Sequence, residues 1–259
     1  MTRYFSIPYD SGQKGLRMGA GPLRLVQTLG VEAEEIHPQR DWRAEIATSF
    51  ELYRLLAARV AASDDFPVVF SGNCGAAIGV AAGVGSERLG VIWFDAHGDY
   101  NTPETTDTGF LDGMCLAVLN GRCWTSVAAT IPGFAPVDPR QTMHVGARDF
   151  SPGEREAMVR DSMAVVAPGA LDRVQPLLDA FDVDRLLVHV DLDVLDPSHG
   201  RANLYAADGG LSPDEVIEVI EVARRRAPLA GLVLASYDPS GDPEGSIAAI
   251  AARIVKTFC

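Results

Sequence analysis

The sequence predicts an α/β protein of three layers, an αβα arrangement with helices on both faces of a mostly parallel central sheet. Two observations carry that prediction. Apolar, β-rich runs recur along the chain, and helix-like segments separate them without any internal repeat, low-complexity tract or linker. The runs at residues 3–7, 67–70, 90–94, 142–146, 163–166, 186–190 and 232–235 are mainly apolar, and 67–70, 90–94, 163–166 and 232–235 contain no polar side chain at all. A strand that is apolar on both sides is covered on both sides, which is the situation of a parallel sheet. The segments 50–62, 111–119, 152–161, 171–181, 213–226 and 246–257 carry amphipathic or small-residue helical patterns, and strand–helix alternation of this kind builds crossover units. A chain of 259 residues suits one large domain, 1–259, with ample length for a full core.

Charge narrows the partners. The chain has 22 basic and 35 acidic residues, a formal net charge of −13. Such a surface repels a phosphate backbone, so no nucleic-acid partner is expected, and a cationic or neutral small molecule fits better. The longest apolar stretches fall short of a membrane span, and the first five residues lack a signal-peptide core, so the expectation is a cytoplasmic protein with no membrane partner. Cysteines stand at 74, 115, 123 and 259 without a CxxC pair, which is neither a disulfide framework nor a zinc spacing. Cys115, Cys123 and Cys259 are most simply core or surface thiols; Cys74 sits differently.

In parallel sheets, binding sites form beyond the carboxyl ends of the strands. After the run 90–94 come Asp95, His97 and Asp99, which share one side if the backbone stays extended. After 186–190 come Asp191 and Asp193, again two apart. After 67–70 comes Ser71-Gly72-Asn73-Cys74-Gly75, a glycine-flanked turn opening a helix. Four carboxylates, one imidazole and one thiol crowded together would repel without cations. Carboxylates with a single imidazole suit hard or borderline divalent metals such as manganese, and shared carboxylates suggest a bridged pair. A lone acidic pair would be read as helix caps or solvated loop residues; two such sets on neighbouring strand ends favour metal.

These segments resemble the arginase/agmatinase ureohydrolases, α/β proteins with a binuclear manganese centre. The resemblance runs from the glycine-rich loop Gly15 to Pro22, through Asp95-Ala96-His97-Gly98-Asp99-Tyr100-Asn101 and Asp191-Leu192-Asp193-Val194-Leu195-Asp196-Pro197, to the late strand ending at Ser236. It implies two Mn²⁺ per chain. Cys74, Asp95, Asp99 and Asp191 would hold one, and His97, Asp95, Asp191 and Asp193 the other, with Asp95 and Asp191 shared. It also implies a water, made acidic by the two cations, as the nucleophile. Asn101, Thr106 and Thr108 match the family's holders of a substrate α-carboxylate. Asp149 and Glu154 match residues near the α-amino group, although Ser151 and Glu154 also read as a capping box for the helix at 152–161. The substrate expected is a guanidino amino acid.

Three departures lie close to the implied metals. Cys74 replaces a histidine ligand; a thiolate donates more strongly and makes a weaker Lewis acid. Ser236 stands where arginase has the glutamate that pairs with the substrate guanidinium. A guanidinium is charged at neutral pH, and burying it unpaired costs on the order of several kcal/mol, unless Asp238 swings in to replace that glutamate. Asp112 stands where arginase has a proton-shuttling histidine, and it equally reads as an acidic residue favouring a helix N-terminus. An N-hydroxyguanidine is less basic and can bind neutral. The chain therefore resembles most the branch of the family that cleaves Nω-hydroxy-L-arginine to hydroxyurea and L-ornithine in D-cycloserine biosynthesis, with Asp112 catalytic and Ser236 in the substrate site. The alternatives are arginase activity on L-arginine and a non-catalytic arginase-like binding protein. His189 shares strand parity with Asp191, which leaves it either behind the centre or simply packed. A monomer is expected over the family's trimer, because the chain stops directly after its last helix.

Overall fold

A computed structural model describes residues 1–40 and 42–258. Cys259, read above as a core or surface thiol, lies outside the described residues. The elements run β1 (Thr2–Ile7), a hairpin of β2 (Tyr9–Asp10) and β3 (Gln13–Lys14), α1 (Gly21–Leu29), β4 (Glu34–Glu35), α2 (Glu45–Ala61), β5 (Phe66–Ser71), α3 (Ala76–Val84) and β6 (Leu89–Phe94). They continue with α4 (Cys115–Leu119), α5 (Thr125–Ala128), β7 (Thr142–Val145), α6 (Glu154–Arg160), β8 (Ala164–Val166), α7 (Val174–Asp179), β9 (Arg185–Asp191), α8 (Pro213–Arg226), β10 (Leu229–Ala235) and α9 (Ser246–Lys256).

Eight strands form one sheet in the order β4-β1-β5-β10-β9-β6-β7-β8, and every pairing in it is parallel. The expected three-layer α/β architecture is the one observed. Alternate side chains along each strand enter two separate cores. Val69, Trp93, Leu187 and Val233 pack with residues of α2, α3 and α4 on one face. Phe70, Ile92, Val188 and Leu234 pack with α1, α7, α8 and α9 on the other. Burying one such side chain contributes about 1.5–3 kcal/mol, so strands apolar on both sides are held in the middle layer.

Element boundaries shift where backbone chemistry dictates. The run 142–146 ends at Val145 because Gly146 turns away at φ 98°. The segment 111–119 divides into a 3-10 turn, Asp112–Met114, and α4. The segment 152–161 starts helical only at Glu154, after Gly153 at φ 79°. α8 begins where a capping box closes, Ser212 accepting from the Glu215 N–H and Glu215 reaching back to Ser212.

Parallel pairing brings all the strand carboxyl ends to one edge. β5, β10, β9 and β6 are consecutive neighbours at the centre of the sheet, and they lead into Cys74, Ser236, Asp191 and Asp95 respectively.

Candidate metal centre

Asp95 follows the last residue of β6, and its N–H donates to the Val145 carbonyl at 3.2 Å. Its carboxylate is fully buried. Oδ1 accepts from the His97 N–H at 2.8 Å and Oδ2 from Trp93 Nε1 at 3.3 Å. Asp191 ends β9. Its Oδ1 accepts from the Asp193 N–H at 2.9 Å, and Oδ2 accepts from Cys74 Sγ at 3.0 Å. Asp193 lies in the 3-10 turn Leu192–Val194, with Oδ1 accepting from the Ala96 N–H at 3.3 Å. The His97 Nδ1 stands 3.4 Å from both Asp95 Oδ1 and Asp193 Oδ2.

The expected alternation along an extended backbone is not how these groups converge. β6 stops at Phe94, and Asp99 takes a left-handed conformation at φ 52°. Its carbonyl accepts from the N–H groups of Leu116 and Ala117, at the start of α4. A turn anchored on a helix therefore returns Asp99 toward the centre. Asp99 Oδ2 is buried and has no hydrogen-bond partner among the described residues.

Two sets of donor atoms emerge, each drawn together within 4.8 Å: Asp95 with His97 and Asp193, and Asp95 with Cys74 and His189. Asp95 is common to both. Asp99, Asp191, Cys74, His97 and Asp193 also line one cavity of about 300 Å³.

Burial pushes the carboxyls of Asp95, Asp99 and Asp191 upward, and their mutual repulsion adds to it. Burial, with Asp112 and Asp191 nearby, also drives the Cys74 thiol well above its usual range. Burial alone would favour neutral His97, but Asp95, Asp193 and Asp191 overcome that and raise it to about 10. Among the described residues no lysine or arginine forms an ion pair with Asp95, Asp99, Asp191 or Asp193. Such a cluster must either hold protons or be neutralised by cations. Carboxylate oxygens, an imidazole and a sulfur form a donor set that fits borderline divalent metals.

Asp112 Oδ1 accepts from the Cys74 N–H and Oδ2 from Asn73 Nδ2, both at 2.7 Å. Burial pushes its carboxyl up to about 7, against the pull of these hydrogen bonds. Asp112 thus clamps the turn that presents Cys74 as well as facing the cavity. Ser236 follows β10 in a left-handed conformation at φ 63°, with Oγ 3.3 Å from Cys74 Sγ. Asp238 does not line the cavity; its carboxylate accepts from the Ser240 N–H at 2.9 Å, capping the next turn.

The outer residues differ in how free they are. Thr108 lies exposed and Thr106 half-buried at the mouth of the cavity, their hydroxyls 3.3 Å apart. Asp149 is also exposed there, bridged through its backbone to His97. Asn101 is buried, and its Nδ2 donates to Ser151 Oγ at 3.1 Å and Glu154 Oε1 at 3.2 Å. Glu154 also accepts from the N–H groups of Tyr100 at 2.8 Å and Ser151 at 3.0 Å. The capping expectation at Ser151 is therefore corrected: Gly153 occupies the N-cap position, and the Ser151 hydroxyl serves Asn101 instead.

Two further residues shape the centre without a sequence signal. Asn203 Nδ2 donates to Asp193 Oδ2 at 3.2 Å and to the Ser236 carbonyl at 2.8 Å. Arg148 donates to the carbonyls of Asp193 at 2.9 Å, Ala207 at 2.7 Å and Gly146 at 3.0 Å, which fixes the turn after β9.

An acidic centre of this kind, at the carboxyl ends of adjoining parallel strands, marks an α/β protein with candidate ligands for divalent cations. The sequence model of the arginase family matches residues 5–259, and the chain belongs to that family. It is 34% identical over 224 residues to the Nω-hydroxy-L-arginine amidinohydrolase of Streptomyces lavendulae, covering 83% of this chain and 77% of that protein. It is 29% identical over 282 residues to the arginase of Bacillus subtilis (strain 168), covering 97% and 95%. The crystal structure of arginase from Bacillus subtilis subsp. subtilis str. 168 matches it with a TM-score of 0.87 at 25% identity, covering 99% of this chain and 97% of that one. No helix among the described residues is long and apolar enough to cross a membrane.

Proposed function

We propose that this arginase-family protein hydrolyses the guanidine C–N bond of Nω-hydroxy-L-arginine, releasing hydroxyurea and L-ornithine. The observation that carries this reading is the uncharged side chain at the end of β10. Ser236 occupies the strand end beside Cys74, and the nearby Asp238 is committed to its own turn. Ser236 offers a hydroxyl and no carboxylate to a guanidinium, so a less basic N-hydroxyguanidine suits the site better than arginine. The 34% identity to a hydroxyarginine amidinohydrolase supports the same substrate.

The residues proposed to hold two divalent cations, manganese by family resemblance, are those expected from sequence: Cys74, Asp95, Asp99 and Asp191 for one, and His97, Asp95, Asp191 and Asp193 for the other. When bound, such a pair supplies the positive charge that makes a water acidic enough to attack at neutral pH. The protein's own groups do the rest. Thr106, Thr108 and Asn101 receive the α-carboxylate, and Asp149 with Glu154 receives the α-amino group. Ser236 Oγ faces the N-hydroxyguanidine. Asp112, its carboxyl near neutrality, holds the proton that the leaving group takes.

Metal-loaded protein incubated separately with L-arginine and Nω-hydroxy-L-arginine tests this. Hydroxyurea and ornithine at a high kcat/KM, with little urea from arginine, are expected. Fast urea from arginine would overturn the substrate, and less than one metal per chain after reconstitution would favour a non-catalytic binding protein.

A further inference from the structure

His189 is a deeply buried group beside the centre that the proposed chemistry leaves idle. It lies on β9 two residues before Asp191, on the same side of the strand, one rung below the acidic cluster. Its partners across the sheet are Trp93 on β6 and Val233 on β10. It is 0% exposed, and neither ring nitrogen has a hydrogen-bond partner among the described residues. A buried polar group without a partner costs roughly 1–3 kcal/mol, so an imidazole retained here needs something to bind. Trp93 fixes one side of the ring, with centroids 3.7 Å apart. A ring nitrogen, Cys74 Sγ and an Asp95 oxygen all lie within 4.8 Å of one another, a separation that ligands of a common ion can have.

We propose that His189 supplies a nitrogen ligand to the cation seated at Cys74, returning from β9 the imidazole that residue 74 no longer provides. The proposal rests on the two-metal reading of the centre. Residue 74, where the family has histidine, carries the shorter cysteine side chain, and a second imidazole stands next to its sulfur. Burial keeps His189 neutral, the form in which a ring nitrogen offers a lone pair. The donor set at this position then becomes carboxylate, thiolate and imidazole. That is softer than carboxylates and thiolate alone, and the neutral imidazole adds no further negative charge to that of the thiolate.

The test uses the full-length protein reconstituted with Mn²⁺ and examined by pulsed EPR for directly bound ¹⁴N, with [¹⁵N]histidine labelling to confirm the source. In the wild type and in His97→Asn, a bound imidazole nitrogen should persist, and in His97→Asn it should disappear on adding His189→Asn. In His189→Asn alone, affinity for the first cation should fall about tenfold or more, while the Co²⁺-loaded protein keeps the sulfur-to-metal absorption of Cys74. Imidazole added to His189→Gly should restore part of the lost affinity. If His97→Asn binds Mn²⁺ and shows no bound nitrogen, the His189 assignment is wrong and the metal centre survives. If the wild-type protein takes up no divalent metal, both fall together. The His97→Asn arm leaves residue 189 untouched, so it decides the question even if His189 variants fail to fold.

Discussion

Ser236→Glu is the sharpest perturbation of substrate choice. In the native protein, a bound arginine would place its guanidinium beside Ser236 and Cys74, where Ser236 is 2% exposed and offers a hydroxyl in place of a carboxylate. Leaving one member of a buried charge pair unmatched costs about 3–5 kcal/mol. Supplying the carboxylate should therefore raise kcat/KM for arginine by about a hundredfold to a few thousandfold, since 1.4 kcal/mol is about a factor of ten. Hydroxyarginine, bound neutral, gains no such pairing and loses its serine contact, so its kcat/KM should fall. The backbone at 236 is already left-handed at φ 63°, a cost the serine carries as well. Ser236→Gln, similar in size but neutral, controls for bulk. The assay compares urea with hydroxyurea release under pseudo-first-order conditions at fixed metal content. A Glu variant that folds, holds wild-type metal and leaves the arginine-to-hydroxyarginine ratio unmoved would refute the charge-pairing account of specificity.

Cys74→Ala should lower affinity for the first cation by about ten- to a hundredfold, measured by metal analysis after dialysis, and should abolish the sulfur-to-Co²⁺ absorption. Chelation should change how stability depends on pH. Asp95, Asp99 and Asp191 are raised by burial, and His97 is raised to about 10 by its carboxylate neighbours. A raised folded-state pKa favours folding below the unfolded value and loses that advantage as pH rises. The chelated protein should therefore melt lower at pH 8 than at pH 5.5. Bound cations replace the protons, so the metal-loaded protein should show a smaller drop; equal slopes by scanning fluorimetry would count against a metal centre. Gly98→Ala would place a Cβ 2.4 Å from the Glu154 Cδ. Displacing that buried carboxylate should cost about 1–3 kcal/mol, seen as a lower Tm, and should disturb the loop of Asp99 and Asn101 enough to reduce activity.

The strands and their functional ends were legible because parallel strands announce themselves as unbroken apolar runs, and the residue after each run is where the sheet exposes backbone and side chain together. Asp95, Asp191 and Cys74 were singled out that way, and Ser236 through the family resemblance. The path from strand end to cluster was not legible. Asp99 converges through a left-handed turn tied to α4, and Asp193 through a 3-10 turn whose N–H bonds to Asp191, so the side chains come together by a geometry that spacing-two alternation does not describe. α1 was missed although Pro22 at its start and Gly30 at its end mark it, since its apolar face is short. Asn203 and Arg148 were invisible because they act across long sequence distances on backbone carbonyls and one carboxylate. Parity put His189 on the right face. His144 is just as buried and unpartnered; what sets His189 apart is a ring nitrogen within 4.8 Å of Cys74 Sγ and an Asp95 oxygen.

The three departures from arginase form one contact unit. The Cys74 N–H donates to Asp112 at 2.7 Å, and Cys74 Sγ lies 3.3 Å from Ser236 Oγ. Contacting residues have interaction energies of about 0.5–3 kcal/mol, so their effects on arginine hydrolysis should not add. Cys74→His alone brings a larger ring against Ser236 and the clamp from Asp112, and it should bind metal without gaining arginase activity. Combined with Ser236→Glu and Asp112→His, the same change should raise kcat/KM for arginine beyond the product of the single effects. A double- and triple-mutant cycle on kcat/KM measures this directly. Strict additivity would mean that the substitutions act separately, and that a hydroxyarginine site differs from an arginine site by independent point contacts rather than by a repacked metal wall.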